Sequence, residues 1–148
     1  MPTRHALDRT IDLDVNGSRQ QIRLCAERDG RPPLLIVQGG PGLPILNEVR
    51  KFQQLLDLER DFLTGYWEQR GCGDAPRRDT ETVSMQQQVA DLCTVLRWFF
   101  EETKQRVIVL AISMGGPFAL QAAEKELEHI KSLILVSPDS QTAIGDVS

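Results

Sequence analysis

The chain has 148 residues, about one ordinary domain, and its 41% hydrophobic content suffices for a core of that size. Charged residues make up 26%, with 17 basic against 21 acidic side chains and a formal net charge of −4, so no positive field favours a nucleic-acid backbone or an anionic membrane. The longest apolar runs, Leu34-Leu35-Ile36-Val37 and Leu133-Ile134-Leu135-Val136, fall far short of the roughly 20 residues that span a bilayer. Arg4, Asp8 and Arg9 interrupt the start of the chain, where a signal peptide would be apolar. The odd set Cys25, Cys72 and Cys93, without a secretory signal, leads us to expect reduced thiols and a cytoplasmic location.

In chain order, Ile11, Leu13 and Val15 alternate with polar residues, Asn16-Gly17 offers the positive-φ pair of a tight hairpin, and Ile22, Leu24 and Ala26 alternate again. This predicts a β-hairpin, ended by Pro32-Pro33. Residues 34–37 suit a strand buried on both faces. After Gly39-Gly40-Pro41-Gly42, the spacing of Leu46, Val49, Phe52 and Leu55-Leu56 predicts a first helix. A fourth strand is expected over 61–67, then a Gly, Pro and Arg-rich loop over 69–79.

Met85, Val89, Leu92, Leu96, Phe99 and Phe100 predict a long amphipathic helix, N-capped by Thr82 or Ser84, with Gln86, Gln87, Asp91 and Arg97 on its polar face. Residues 106–112 read as a strand, 115–127 as a helix and 131–136 as a last strand. Strand and helix alternating after a hairpin give an α/β fold: a mixed, mostly parallel sheet of about six strands with helices on its faces.

Three segments carry chemistry. Val109-Leu110-Ala111-Ile112-Ser113-Met114-Gly115-Gly116 is a buried strand that turns through Ser113 into a helix, the setting of a nucleophile elbow. Such a turn closes only if the residues two before and two after the serine are small, and Ala111 and Gly115 meet that requirement. The helix dipole would point its positive end at the serine, and the Met114 amide would be one oxyanion donor. On this segment alone, a serine that merely caps a helix would look alike. In Gln38-Gly39-Gly40-Pro41-Gly42 the glycines let the backbone present an amide to a ligand; Pro41 has no N–H, so Gly39 or Gly40 would donate. By itself this loop also suits a plain turn or a phosphate cradle, although no G-x-G-x-x-G or Walker spacing is present. Tyr66-Trp67-Glu68-Gln69-Arg70-Gly71-Cys72-Gly73 alone suggests only an ordered loop.

Together the three segments resemble the α/β-hydrolase superfamily, in particular its proline iminopeptidase-like branch. There a Gly-Gly-Pro-Gly oxyanion loop, a Trp-x-Gln-Arg-Gly-x-Gly loop and a small-x-Ser-x-Gly-Gly elbow occur in this order with similar separations. The resemblance runs from about Thr10 to Pro138. It implies an eight-stranded sheet with an antiparallel second strand, Ser113 as nucleophile, and the backbone amides of Gly40 and Met114 as the oxyanion hole. It also implies a serine hydrolase of amide or ester bonds, aminopeptidase-like, that works through an acyl-enzyme on a small-molecule or peptide substrate. No cofactor, metal, nucleic acid or membrane is expected. Three residues depart from the branch: Ala111 and Gln38 stand where glycine and histidine are usual, and Glu68 where aspartate is usual. Gln38 bears on how the oxyanion loop is held.

Ser113 needs a histidine to take its proton and an acid to orient that histidine. His129 follows it along a helix that places it up to about 24 Å away, at the wrong edge of the sheet, where it suits capping the helix. By the resemblance, His5 precedes a strand four neighbours from the elbow strand, about 19 Å away. In the family the catalytic histidine follows the eighth strand and the acid usually the seventh. Residues 114–148 hold one helix, one strand and a short tail, whereas a further βαβ unit takes about 30 residues.

We therefore expect one incomplete α/β-hydrolase domain over 1–148, without a cap domain and with impaired activity. Asp139, just after the last strand, is the candidate acid, against an ordinary turn residue beside Ser137-Pro138. The alternative is a non-catalytic hydrolase half, inert or pairing with a complementary chain. The strand Lys131 to Val136 would be an uncovered edge open to self-association. Cys25 and Cys93 are expected in the core, and Cys72 as a loop thiol rather than a nucleophile.

Overall fold

A computed structural model of the chain describes residues 6–38, 44–71 and 84–136. Asn16 and Gly17 take φ of 52° and 82°, the left-handed pair that a two-residue hairpin turn requires, and the Gly17 amide donates to Asp14 Oδ1 at 3.0 Å. They join β1 (Leu7–Val15) to β2 (Ser18–Ala26) in unbroken antiparallel register, from Leu7 opposite Ala26 to Val15 opposite Ser18. The first strand begins four residues earlier than the apolar alternation indicates. A two-pronged ion pair from Arg23 to Asp8, both contacts 2.8 Å, holds that extension, and its hydrogen bonds keep the Asp8 carboxyl below the usual carboxylate range.

β2 then pairs antiparallel with β4 (Leu63–Glu68), while β3 (Pro33–Gln38), β5 (Val107–Ile112) and β6 (Ile130–Val136) join it in parallel, giving the order β1-β2-β4-β3-β5-β6. The expected mixed sheet, with its second strand antiparallel, is thus present. Parallel neighbours need crossovers, and α1 (Val49–Leu56), α2 (Met85–Thr103) and α3 (Gly115–Lys125) lie on them. Alternate residues of the central strands feed two cores. Leu35, Val37, Trp67, Val109 and Ala111 meet Leu92, Leu96, Phe99 and Phe118 of α2 and α3. On the other face Leu34, Ile36, Tyr66, Ile108 and Leu110 meet Ile45 and Val49. Covering on both faces explains why residues 34–37 are continuously apolar.

The first helix is shorter than its pattern. It opens as a 3-10 turn over Leu46–Glu48, and Leu55 and Leu56 are exposed although their spacing assigns them to the buried face. Periodicity identifies a face of a helix, not how far the sheet extends beneath it. Ser84 caps α2, its hydroxyl accepting from the Gln87 amide at 3.1 Å, as expected. Among the described residues β6 is a sheet edge with Ile134, Leu135 and Val136 exposed. No helix among them is long and apolar enough to cross a membrane.

Asp91 departs most from its expected place. The helical pattern assigns it to the solvent face of α2, yet its side chain is 1% exposed. Oδ1 accepts from Asn16 Nδ2 (3.0 Å), Gln87 Nε2 (2.9 Å) and Arg70 Nη2 (3.2 Å); Oδ2 accepts from Arg70 Nε (2.9 Å) and Gln20 Nε2 (3.1 Å). Gln20 in turn accepts from Trp67 Nε1 at 2.8 Å. Five donors replace the lost water, so the carboxylate ties α2 to the hairpin and to the turn after β4.

Replacing Asp91 by Ala removes the buried carboxylate on which Asn16, Gln20, Arg70 and Gln87 converge. Breaking one side of a buried ion pair costs about 3 kcal/mol or more, which urea unfolding of Asp91→Ala should register as a lowered midpoint. Cys25 and Cys93 are buried as expected. Burial pushes the Cys25 thiol up to about 12 and raises Cys93 as well, so at pH 8 both remain thiols in the fold. Iodoacetamide at pH 8, read by peptide mapping, should therefore spare both in the native chain and modify both in urea. Cys72 lies outside the described residues.

Candidate active site

β5 is an apolar strand, buried over Val107 to Ala111, and it ends at Ile112. Ser113 follows with φ +55°, a left-handed conformation that costs a side-chain-bearing residue about 1–2 kcal/mol. Asn16, Asp57 and Lys104, the other described non-glycine residues with positive φ, lie in a hairpin turn or at helix C-termini. Ser113 alone among them joins a buried strand to the start of a helix. Two hydrogen bonds hold the turn: the Ser113 amide donates to Val136 O of β6 at 3.0 Å, and the Gly116 amide donates to Ser113 O at 3.1 Å.

The small residues on either side have distinct reasons. A Cβ on Gly115 would lie 2.5 Å from Val37 O, so the first turn of α3 rests directly on the backbone of β3. Ala111 is buried opposite Val37. The resulting corner leaves Ser113 and Met114 exposed at the C-terminal end of the parallel strands, where ligands bind in open α/β sheets. Met114 occupies the N-cap of α3, where helix amides lack intrahelical partners and the dipole is positive.

In the β3–β5 register Gln38, the last residue of β3, is opposite Ile112, so β3 ends beside the strand that leads into the elbow, at a strand spacing of about 4.8 Å. Gly40 lies outside the described residues, as do Asp139 and His5. Both shoulders of the glycine-rich segment are described. Gln69, 5% exposed, donates from Nε2 to Gln38 O at 2.6 Å. Glu68, 4% exposed, accepts through Oε1 from the amides of Ile45 (3.0 Å) and Leu46 (3.4 Å). Taken alone, the sequence marks this Trp-x-Gln-Arg run only as an ordered loop, and the family resemblance it helps carry assigns no role to Glu68 or Gln69. Two polar residues directly after an aromatic strand end were the available signal.

His129 is separated from Ser113 along the strand axis. Its carbonyl accepts from the Val107 amide at 2.7 Å, at the start of β5, whereas Ser113 follows the end of that strand, roughly 20 Å away at about 3.3 Å per residue. It therefore lies at the opposite end of the strands rather than across the sheet edge. Its ring does not cap helix carbonyls: Nδ1 is 2.7 Å from Glu126 Oε2 and the ring centroid 4.7 Å from that of Phe100.

The sequence model of the alpha/beta hydrolase fold family matches residues 32–147. The chain belongs to this family. Among curated proteins it is 24% identical over 128 residues to a probable aminopeptidase of Bacillus subtilis (strain 168), covering 84% of this chain and 40% of that protein. It is 28% identical over 123 residues to a proline iminopeptidase of Pestalotiopsis fici, covering 83% and 42%. The chain thus spans about two-fifths of the length of these relatives, and their names agree with the branch that its motifs resemble. The crystal structure of a proline iminopeptidase-related protein from Thermus thermophilus superposes with TM-score 0.71 at 21% identity, covering 89% of this chain and 45% of that one. An N-formylmaleamic acid deformylase from Pseudomonas putida gives TM-score 0.72 at 25% identity, covering 88% and 47%. This six-stranded sheet corresponds to under half of either α/β-hydrolase chain.

The elbow carries two opposite stability expectations. Ser113→Gly relieves the left-handed strain and should raise the unfolding free energy by about 1 kcal/mol. Gly115→Ala forces Cβ against Val37 O and should lower it by about 1–3 kcal/mol. Thermal melts of the two variants beside the parent chain test both signs.

Proposed function

We propose that the chain carries the nucleophile portion of a serine hydrolase of amide or ester bonds, aminopeptidase- or proline iminopeptidase-like, acting through an acyl-enzyme on Ser113. The left-handed Ser113 between β5 and α3 is the observation that carries this reading. Strain at a residue so well held is the signature of a side chain positioned for work rather than for stability. The named aminopeptidase and proline iminopeptidase relatives support the substrate class.

In this reading Ser113 Oγ attacks the carbonyl carbon of the substrate and passes its proton to a base. The carbonyl electrons move onto oxygen, where the amides of Met114 and Gly40 receive the charge. Collapse expels the amine or alcohol with a proton from the base, and water then releases the acid from Ser113. Among the described residues no histidine lies near Ser113, so the proton acceptor is not among them, and Asp139 is kept as the candidate acid. In the worked serine-protease case, removing the triad leaves the oxyanion hole and binding alone, with a residual acceleration of about 10³ to 10⁴ over water. If no base reaches Ser113, impaired rather than absent reactivity is the corresponding expectation. The rival reading, an inert hydrolase half, draws on the position of His129 at the far end of β5.

A fluorophosphonate probe distinguishes the two. Slow labelling that maps to Ser113 and disappears in Ser113→Ala supports the nucleophile; equal absence of label from both chains, with a complete relative reacting in parallel, removes it.

A further inference from the structure

We propose that Glu68 and Gln69 are positioning residues for the oxyanion loop, each gripping the described chain on one side of the glycine-rich segment: Gln69 at Gln38, Glu68 at Ile45 and Leu46. This inference rests on the nucleophile reading above. The grip itself stands on the geometry of the described residues.

Gln69 Nε2 donates to the carbonyl of Gln38, the last residue of β3 before that segment, at 2.6 Å. Because the peptide group is planar, holding a carbonyl also sets the plane of the following amide. Glu68 Oε1 accepts from the Ile45 and Leu46 amides at 3.0 and 3.4 Å, where the chain returns toward α1. The two gripping residues are consecutive and follow directly on Trp67, itself 1% exposed in the core and bonded to Gln20. Gln38 on one side of the segment and Ile45 and Leu46 on the other are thereby tied to one strand end. The next residue, Arg70, fixes that strand end to Asp91.

The chemistry of the two positions fits the task. Three glycines among residues 39–42 make the segment costly to order and easy to misplace. An oxyanion donor must be in place before charge develops, because its contribution comes from preorganisation. A carboxylate suits the returning end, where two adjacent amides converge on one oxygen. An amide donor suits the outgoing end, where a carbonyl must be held and a carboxylate would repel it. Both side chains are desolvated, which strengthens their bonds and makes either one expensive to leave unpaired.

The two grips can be released separately. Glu68→Leu removes the acceptor and should raise amide exchange at Ile45 and Leu46 about tenfold, the loss of one hydrogen bond of about 1.4 kcal/mol, whereas Glu68→Gln keeps an acceptor oxygen and should rescue most of that protection. Gln69→Glu is isosteric but points an oxygen at Gln38 O. It should slow fluorophosphonate labelling of Ser113 about tenfold at pH 8, a modest penalty for a displaced reacting group. Its rate relative to the parent chain, measured at each pH, should recover toward pH 5 as the new carboxyl takes up a proton and donates again. A purely structural role would lower the melting temperature without that pH-dependent recovery. Unchanged exchange in Glu68→Leu, or a relative labelling rate for Gln69→Glu that does not vary with pH, overturns the proposal. If the parent chain is not labelled at all, the nucleophile reading fails. Exchange at Ile45 and Leu46 in Glu68→Leu, and at Gln38 and its neighbours in Gln69→Glu, then decides the grip by itself.

Discussion

A single buried carboxylate organises the face of the sheet that carries α2. An unpaired charge at the depth of Asp91 would cost several kcal/mol, so its position is tolerable only while all its donors are present. Those donors come from the hairpin turn, from β2, from the turn after β4 and from the preceding turn of α2 itself. The requirement is mutual. Arg70, the donor that reaches both carboxylate oxygens, also holds Val15 O and Asn16 O, so the hairpin, β4 and α2 cannot shift independently. Such a network specifies one arrangement more than it stabilises it, because an apolar cluster could fill the same volume without the cost of desolvation.

That rigidity reaches the candidate active site through consecutive residues. Arg70 fixes the strand end, and Glu68 and Gln69, immediately before it, meet the chain on either side of the glycine-rich segment. Just past the end of β5, on the far side of β3 from β4, Ser113 is held in its strained conformation by β6 on one side and by the contact of Gly115 with β3 on the other. The strain is sustained by packing the elbow itself does not supply, as expected where local geometry serves chemistry rather than stability.

Much of the fold was legible because it depends on local rules. Asn16-Gly17 dictates a hairpin through backbone conformation alone, and the doubly apolar runs of β3 and β5 announce strands covered on both faces. The elbow was legible for the same reason, since a sharp strand-to-helix turn requires small residues at fixed offsets from its serine. Asp91, Glu68 and Gln69 were misread or passed over because polar residues in a helix or loop ordinarily face solvent. Only the convergence of partners from 21 to 75 positions away in the chain makes their burial favourable. Leu55 and Leu56 err in the opposite sense: their periodicity is helical, but whether sheet lies under the last turn is not a local property.

By itself, then, the sequence determined the order of strands and helices along the chain, the hairpin and the location of the strained serine, which follow from backbone preferences and short spacings, while the family was legible through the resemblance of three motifs. Tertiary structure alone decided which polar groups are buried and whom they hold. It placed His129 with Glu126 and Phe100 at the far end of β5, and it brought Gln38, Ile45, Glu68 and Gln69 together beside the elbow. Periodicity records which side of an element is apolar. The partner that a buried charge or amide finds depends on strand order and register, which are settled only when the whole sheet assembles.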